Sequence, residues 1–149
     1  MQIRTLIAAF LSAAAATLTV VAVAAEADDA AKAAQEIMAT LGKEQYELLY
    51  DARASKFLKD QVDRDKFLTN MMIGRAQLGK LKESKLLDSA ASDPDPASRY
   101  KGKVYYFDYL NTYANGKYNE RVIVIQEGDG RFRLSGLMGK PAQEVQQSR

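Results

Sequence analysis

"VYYFDYLNTYANGKYNERVIVIQ", residues 104–126, holds five tyrosines, one phenylalanine and a lone Asp108. Its apolar residues recur at every second position, the period of a half-buried strand. Asn115-Gly116 in the middle predicts a two-residue type I′ hairpin turn. That turn sets Tyr113 against Tyr118, Asn111 against Glu120, Tyr109 against Val122 and Phe107 against Val124, with Tyr105 on the same face. The other face pairs Leu110 with Arg121, Asp108 with Ile123 and Tyr106 with Ile125.

The next turn, "EGDGR" at 127–131, reads as a three-residue loop with Gly130 in the left-handed position of a bulge. That loop puts Phe132, Leu134 and Met138 on the first face, and Arg131, Arg133 and Ser135 on the second. A two-residue loop would drive the arginines into the aromatic face, which is costly without partners. The apolar pattern therefore selects the longer loop. A further strand is expected over about 81–91.

Before these strands the period is helical. Residues 27–41 are alanine-rich, with Ile37, Met38 and Leu41 grouped and Gly42 as a stop. From Lys43 to Lys59, Tyr46, Leu49, Tyr50, Arg53 and Phe57 paint one helix face. Asp63 is placed as the N-cap of a helix carrying Phe67, Met71, Gly74 and Leu78, with Gly79 as its C-cap. "SDPDP" at 92–96 is a loop. Helices followed by antiparallel strands predict an α+β fold: N-terminal helices packed on a curved antiparallel sheet of about four strands.

The chain has 149 residues, enough for one domain, and contains neither cysteine nor histidine. Disulfides, thiol nucleophiles, histidine-containing triads and histidine-bound zinc are thereby excluded. No phosphate-binding glycine loop is present, and nothing in the sequence asks for a cofactor or a metal. A net charge of +2 supplies no long-range field for nucleic acid.

Residues 1–25 have the parts of a secretory signal peptide: Arg4, an apolar run from Leu6 to Ala25, and small residues in Ala22-Val23-Ala24-Ala25 before Glu26. Cleavage is expected near Ala24 or Ala25, leaving a single domain over 26–140 and a polar, disordered tail over 141–149. The freed protein would be periplasmic or secreted, with no membrane attachment.

On the face chosen for the core, Glu120 and Asn111 lie among Tyr109, Tyr113 and Tyr118. A carboxylate among aromatic rings suits cation binding or a base with a raised pKa. The plainer reading is a rim where tyrosine hydroxyls meet water. Asp108 falls on the outer face with Arg121 on its diagonal, an exposed ion pair. Tyr106, Leu110, Ile123, Ile125 and Leu137 make that outer face unusually apolar, fit for a protein partner or a homodimer. Arg75, Lys80, Lys82 and Lys85 read as a solvated basic run.

The layout resembles a bacterial family of exported domains of unknown function, numbered 4019. The matching stretches are Ala54-Ser55-Lys56-Phe57, "RAQLGK" from Arg75 to Lys80, Glu120-Arg121-Val122, and Phe132 to Leu137. Phe132 and Phe67 stand where that family tends to have tryptophan, and Leu137 where it tends to have an aromatic. The resemblance implies a cone like that of nuclear transport factor 2, with helices closing a curved sheet around a cavity. It carries over no catalytic residue. Three functions follow as expectations. The first is a non-enzymatic domain that binds a small ligand or a protein. The second is an acid–base enzyme of the isomerase or dehydratase type using Glu120. The third is a structural envelope protein whose cone is filled by Phe57, Phe67, Met71 and the tyrosines.

Overall fold

The computed structural model describes residues 13–94 and 99–143, with side chains from residue 23 onward. Helix α1 (Ala13–Gly42) buries Ala30, Ala34, Ile37, Met38 and Leu41 on one stripe, as their spacing requires. The stretch from Lys43 to Lys59 is not one helix. It breaks into α2 (Tyr46–Leu48), a π-helical turn (Leu49–Arg53) and α3 (Lys56–Lys59). The wider turn brings the adjacent Leu49 and Tyr50 both into the core. Ala54 and Ser55 then run extended, and the Ser55 N–H donates to the Leu134 carbonyl at 2.8 Å. A strand contact thus overrides the helical pattern. The Ser55 hydroxyl restarts the helix by accepting from the Leu58 N–H at 3.1 Å.

Helix α4 (Arg64–Leu78) begins where Asp63 accepts from the Lys66 N–H at 2.8 Å and ends at Gly79, φ 73°. Four strands follow: β1 (Leu81–Ser92), β2 (Val104–Tyr113), β3 (Gly116–Gln126) and β4 (Phe132–Pro141). They form an open antiparallel sheet in the order β1-β2-β3-β4, with the helices on one face. The fold is α+β. Ile37, Leu49, Tyr50, Phe67, Val122, Val124 and Leu134 fill the space between the layers. Phe57 lies outside that cluster, edge-on to Tyr100.

The β2–β3 hairpin departs from the expected turn. Tyr113 pairs with Gly116, so Ala114 and Asn115 form the loop. Neither has positive φ, and the type I′ turn is not made; the positive φ falls on Gly116. The cause is tertiary. The Ala114 and Asn115 N–H groups donate to the Lys80 and Leu78 carbonyls at 2.9 and 3.0 Å, and Asn115 Nδ2 donates to the Gln77 carbonyl at 3.0 Å. Docking on the end of α4 outweighs the local preference of Asn-Gly. The register slips by two residues, so every side chain keeps its face. Glu120 now stands opposite Tyr109, Asn111 opposite Tyr118, and Asp108 opposite Arg121.

The β3–β4 turn is as expected, with Gly130 at φ 79° and Gln126 paired with Phe132. Beyond it, a bulge at Ser135 falls between the pairs Val124–Leu134 and Ile123–Gly136. That extra residue reverses the faces of the remaining strand. Leu137, expected outside, packs on the core, and Met138, expected inside, is exposed. Strand β4 continues to Pro141, and the Ala142 N–H donates to the Lys117 carbonyl, so the start of the expected tail is structured. Residues 144–149 of that tail, residues 1–12 of the expected signal segment and part of the "SDPDP" loop lie outside the described residues.

Candidate functional site

Glu120 projects from the inner face of β3 and is only 4% exposed. Arg75 reaches it from the inward stripe of α4, its NH2 2.6 Å from Glu120 Oε1. Asn111 Nδ2 donates to Oε2 at 2.5 Å, and the Tyr113 hydroxyl donates to the same oxygen. Arg75 also donates to the Tyr113 hydroxyl and lies over its ring, 5.5 Å from the centroid. Tyr118 closes the cluster edge-on to Tyr113 at 6.1 Å. Gly139 stands opposite Glu120, and a Cβ there would sit 3.3 Å from Glu120 Cγ. A bare backbone at that position makes room for the buried carboxylate.

Four of the five candidates, Glu120, Asn111, Tyr113 and Tyr118, therefore meet in one cluster. The fifth, Tyr109, faces Glu120 in the register, yet its hydroxyl makes no hydrogen bond there. Tyr109 Oη and Asn111 Oδ1 are buried without a hydrogen-bond partner among the described residues. Arg75 was missed by the basic-run reading. Its signal was its place in the series Phe67, Met71, Arg75, Leu78, which puts a cation on the inward face of a helix. Lys80, Lys82 and Lys85 are exposed, as the run predicts.

The geometry is that of a brace. One carboxylate oxygen is taken by a guanidinium and the other by two neutral donors. A general base needs a lone pair within reach of a substrate proton. Glu120 has spent both oxygens on its own chain. Burial, and then the neighbouring Glu120 carboxylate, push the Tyr113 phenol well above its ordinary range. Burial alone raises Tyr109. A cleft of about 300 Å³ between α4 and the β3–β4 edge, walled by Met71, Leu78 and Leu137, reaches the Arg75–Glu120 pair.

The outer face is different. Asp108 and Arg121 stand directly opposite and share two hydrogen bonds, both 2.7 Å. Arg121 holds the Asp108 carboxyl below the usual carboxylate range. Its guanidinium also covers the Tyr106 ring at 5.4 Å. Tyr106 pairs with Ile123 and Leu110 with Asn119, all half-buried. Ile125 shares that side, but it is 1% exposed and offers no surface to a partner. Beside these residues runs a groove of about 520 Å³ lined by Leu87, Asp88, Asp108, Arg121 and Met138, and also touched by Tyr109 and Glu120 of the inner cluster. Asp88 and Met138, which flank the ion pair, were not singled out in the sequence. Met138 was hidden by the bulge at Ser135.

Among the described residues no cluster of three or more acidic side chains is placed to hold a metal. No described helix is long and apolar enough to cross a membrane.

These features define a small α+β domain with a braced interior and a groove on its open sheet face. Residues 33–137 match the family model described as "Protein of unknown function (DUF4019)", and the chain belongs to that family. The stretches that carry the earlier resemblance contain both Arg75 and Glu120, and the fold joins them in one ion pair. No curated protein and no solved structure matches the chain.

Proposed function

We propose that this protein is an exported, non-enzymatic binding module whose outer sheet face takes up a small amphipathic ligand. The groove is the observation that carries the reading. Its volume falls within the range of small-ligand sites, roughly 300–1,000 Å³. It sets the exposed apolar side chains of Leu87 and Met138 beside the Asp108–Arg121 pair. An apolar body with a polar head fits such a lining. The packed inner layer and the saturated Glu120 weigh against a cone with a catalytic base at its centre.

Export is supported by where the core begins. Val23, Ala24 and Ala25 are exposed, whereas Glu26 pairs with Lys103 at 3.7 Å and Ala30 is the first residue of the core. Cleavage near Ala24 or Ala25 would cut α1 ahead of Glu26 and leave the core stripe from Ala30 to Leu41 in the mature chain. Native mass spectrometry of the chain purified from a bacterial periplasm tests both parts. The intact mass is expected to begin at Ala25 or Glu26 and to carry a non-covalent companion lost on denaturation. A bare, uncleaved chain overturns the reading.

A further inference from the structure

The sheet's two edges are treated differently by the fold. At β4, Ala54 and Ser55 occupy the edge beside Leu134. At β1 no element is placed along the outer edge among the described residues. Strand β1 is twelve residues long, and every residue from Lys82 to Ala91 is exposed. An exposed edge of that length is a template for strand pairing unless it is blunted.

Its sequence is complementary to itself. In an antiparallel pairing about a two-fold axis between Leu86 and Leu87, Lys85 stands against Asp88, twice over. A regular strand forbids this register. Opposed residues must share a face, and in an unbroken strand Lys85 and Asp88 lie on opposite faces. The bulge at Leu87 removes the obstacle. Lys85 pairs with Leu110 and Asp88 with Asp108, both on the outer face; Ser84 and Ser89 pair with Asn111 and Phe107, both on the inner face. Across the bulge, residues three and five apart come to share a face, as the self-pairing demands. One neighbouring register that also matches faces opposes Glu83 to Asp88, a like-charge pair. The other leaves Lys85 against Ala90. Charge favours neither, while a bulge-free register about Ser84, which would oppose Lys85 to Glu83, is told apart by the double exchange below. Leu86 and Leu87 are 42% and 53% exposed, Lys85 has no ion-pair partner among the described residues, and Asp88 feels Arg121 only from beyond ion-pair distance.

We infer that the protein forms a two-fold homodimer through β1, joining two four-stranded sheets into one of eight. Bulges and lysines commonly blunt an edge. Here the bulge creates the only register in which the lysine meets an aspartate. Asp88 and Leu87 also line the groove, so Lys85 of the second copy stands at its wall. That consequence rests on the proposed function; the pairing itself does not.

Sedimentation of the full exported chain tests the dimer by charge exchange. The wild-type chain is expected to sediment as a concentration-dependent dimer. Lys85→Asp and Asp88→Lys should each weaken dimerisation at least tenfold, and the double exchange should restore it, since it only swaps the partners. Circular dichroism of each variant confirms that the monomer is folded. A wild-type monomer at every attainable concentration overturns the inference, as does a dimer indifferent to both single reversals or unrestored by the exchange. A ligand mass on a monomer would sink the dimer and leave the groove standing; a bare dimer would do the reverse.

Discussion

Glu120 shows how a residue flagged for chemistry can be explained by its partners. Seen in the sequence, it is an acid among tyrosines. In the fold, its charge is matched by Arg75, and its lone pairs by Asn111 and Tyr113. Buried pairs of this kind add little net stability but are costly to break, because the survivor is left charged and unpaired. Arg75 is 11% exposed at its side chain, so Glu120→Ala should lose about 3–5 kcal/mol in denaturant unfolding. Replacing both residues with leucine should cost less than either single change. A catalytic Glu120 would show instead as a variant that keeps its stability and loses a turnover. The one aspartate of the opening stretch, Asp108, was legible: alternation alone put it outside with Arg121. Only the exact opposition of the pair was misread, because the turn slipped by two.

At the scale of elements, legibility followed locality. Strand periodicity, the Asp63 cap, the Gly79 stop and the Gly130 turn are fixed by neighbouring residues, and all are found in place. Three features lay outside the reach of local pattern, the first two set by contacts distant in sequence. Leu134 draws Ala54 and Ser55 out of a helix, α4 dictates the β2–β3 turn, and the Ser135 bulge reverses the end of β4. Periodicity carries no information about any of them. The same bulge decided the site, since it moved Met138 to the groove and Leu137 to the core. Gly79 is the joint of this arrangement. It holds φ 73°, and a Cβ there would lie 2.9 Å from the Ala114 Cβ. Gly79 also has ψ −167°, a conformation essentially reserved for glycine, so Gly79→Ala should cost more than about 1–3 kcal/mol of backbone strain alone, and hydrogen exchange should quicken at Ala114 and Asn115.

For the whole molecule, the two faces of one sheet divide the work. The inner face holds the helices and the brace; the outer face carries the groove and ends in the open β1 edge. The inner face also sets a limit at alkaline pH. Burial, then Glu26, pushes the Tyr105 phenol up to about 12, and Tyr109 and Tyr113 are raised as well. Below the ordinary value of 10.0 these groups are protonated whether folded or not, so they leave stability unchanged. Above it the unfolded chain releases its protons first, and stability falls with rising pH. Tyrosinate absorbance should show these three rings ionising at higher pH in the folded protein than in the unfolded chain.

The central claim concerns the groove, and the most direct measurement is a pair of native mass spectra on periplasmic protein, wild type beside Met138→Glu. Met138 is 53% exposed, so the substitution should leave the melting temperature nearly unchanged while placing a carboxylate in the apolar wall. The account predicts a companion mass on the wild type that the variant lacks. A wild type without any companion, or a variant that keeps the same one, would contradict it.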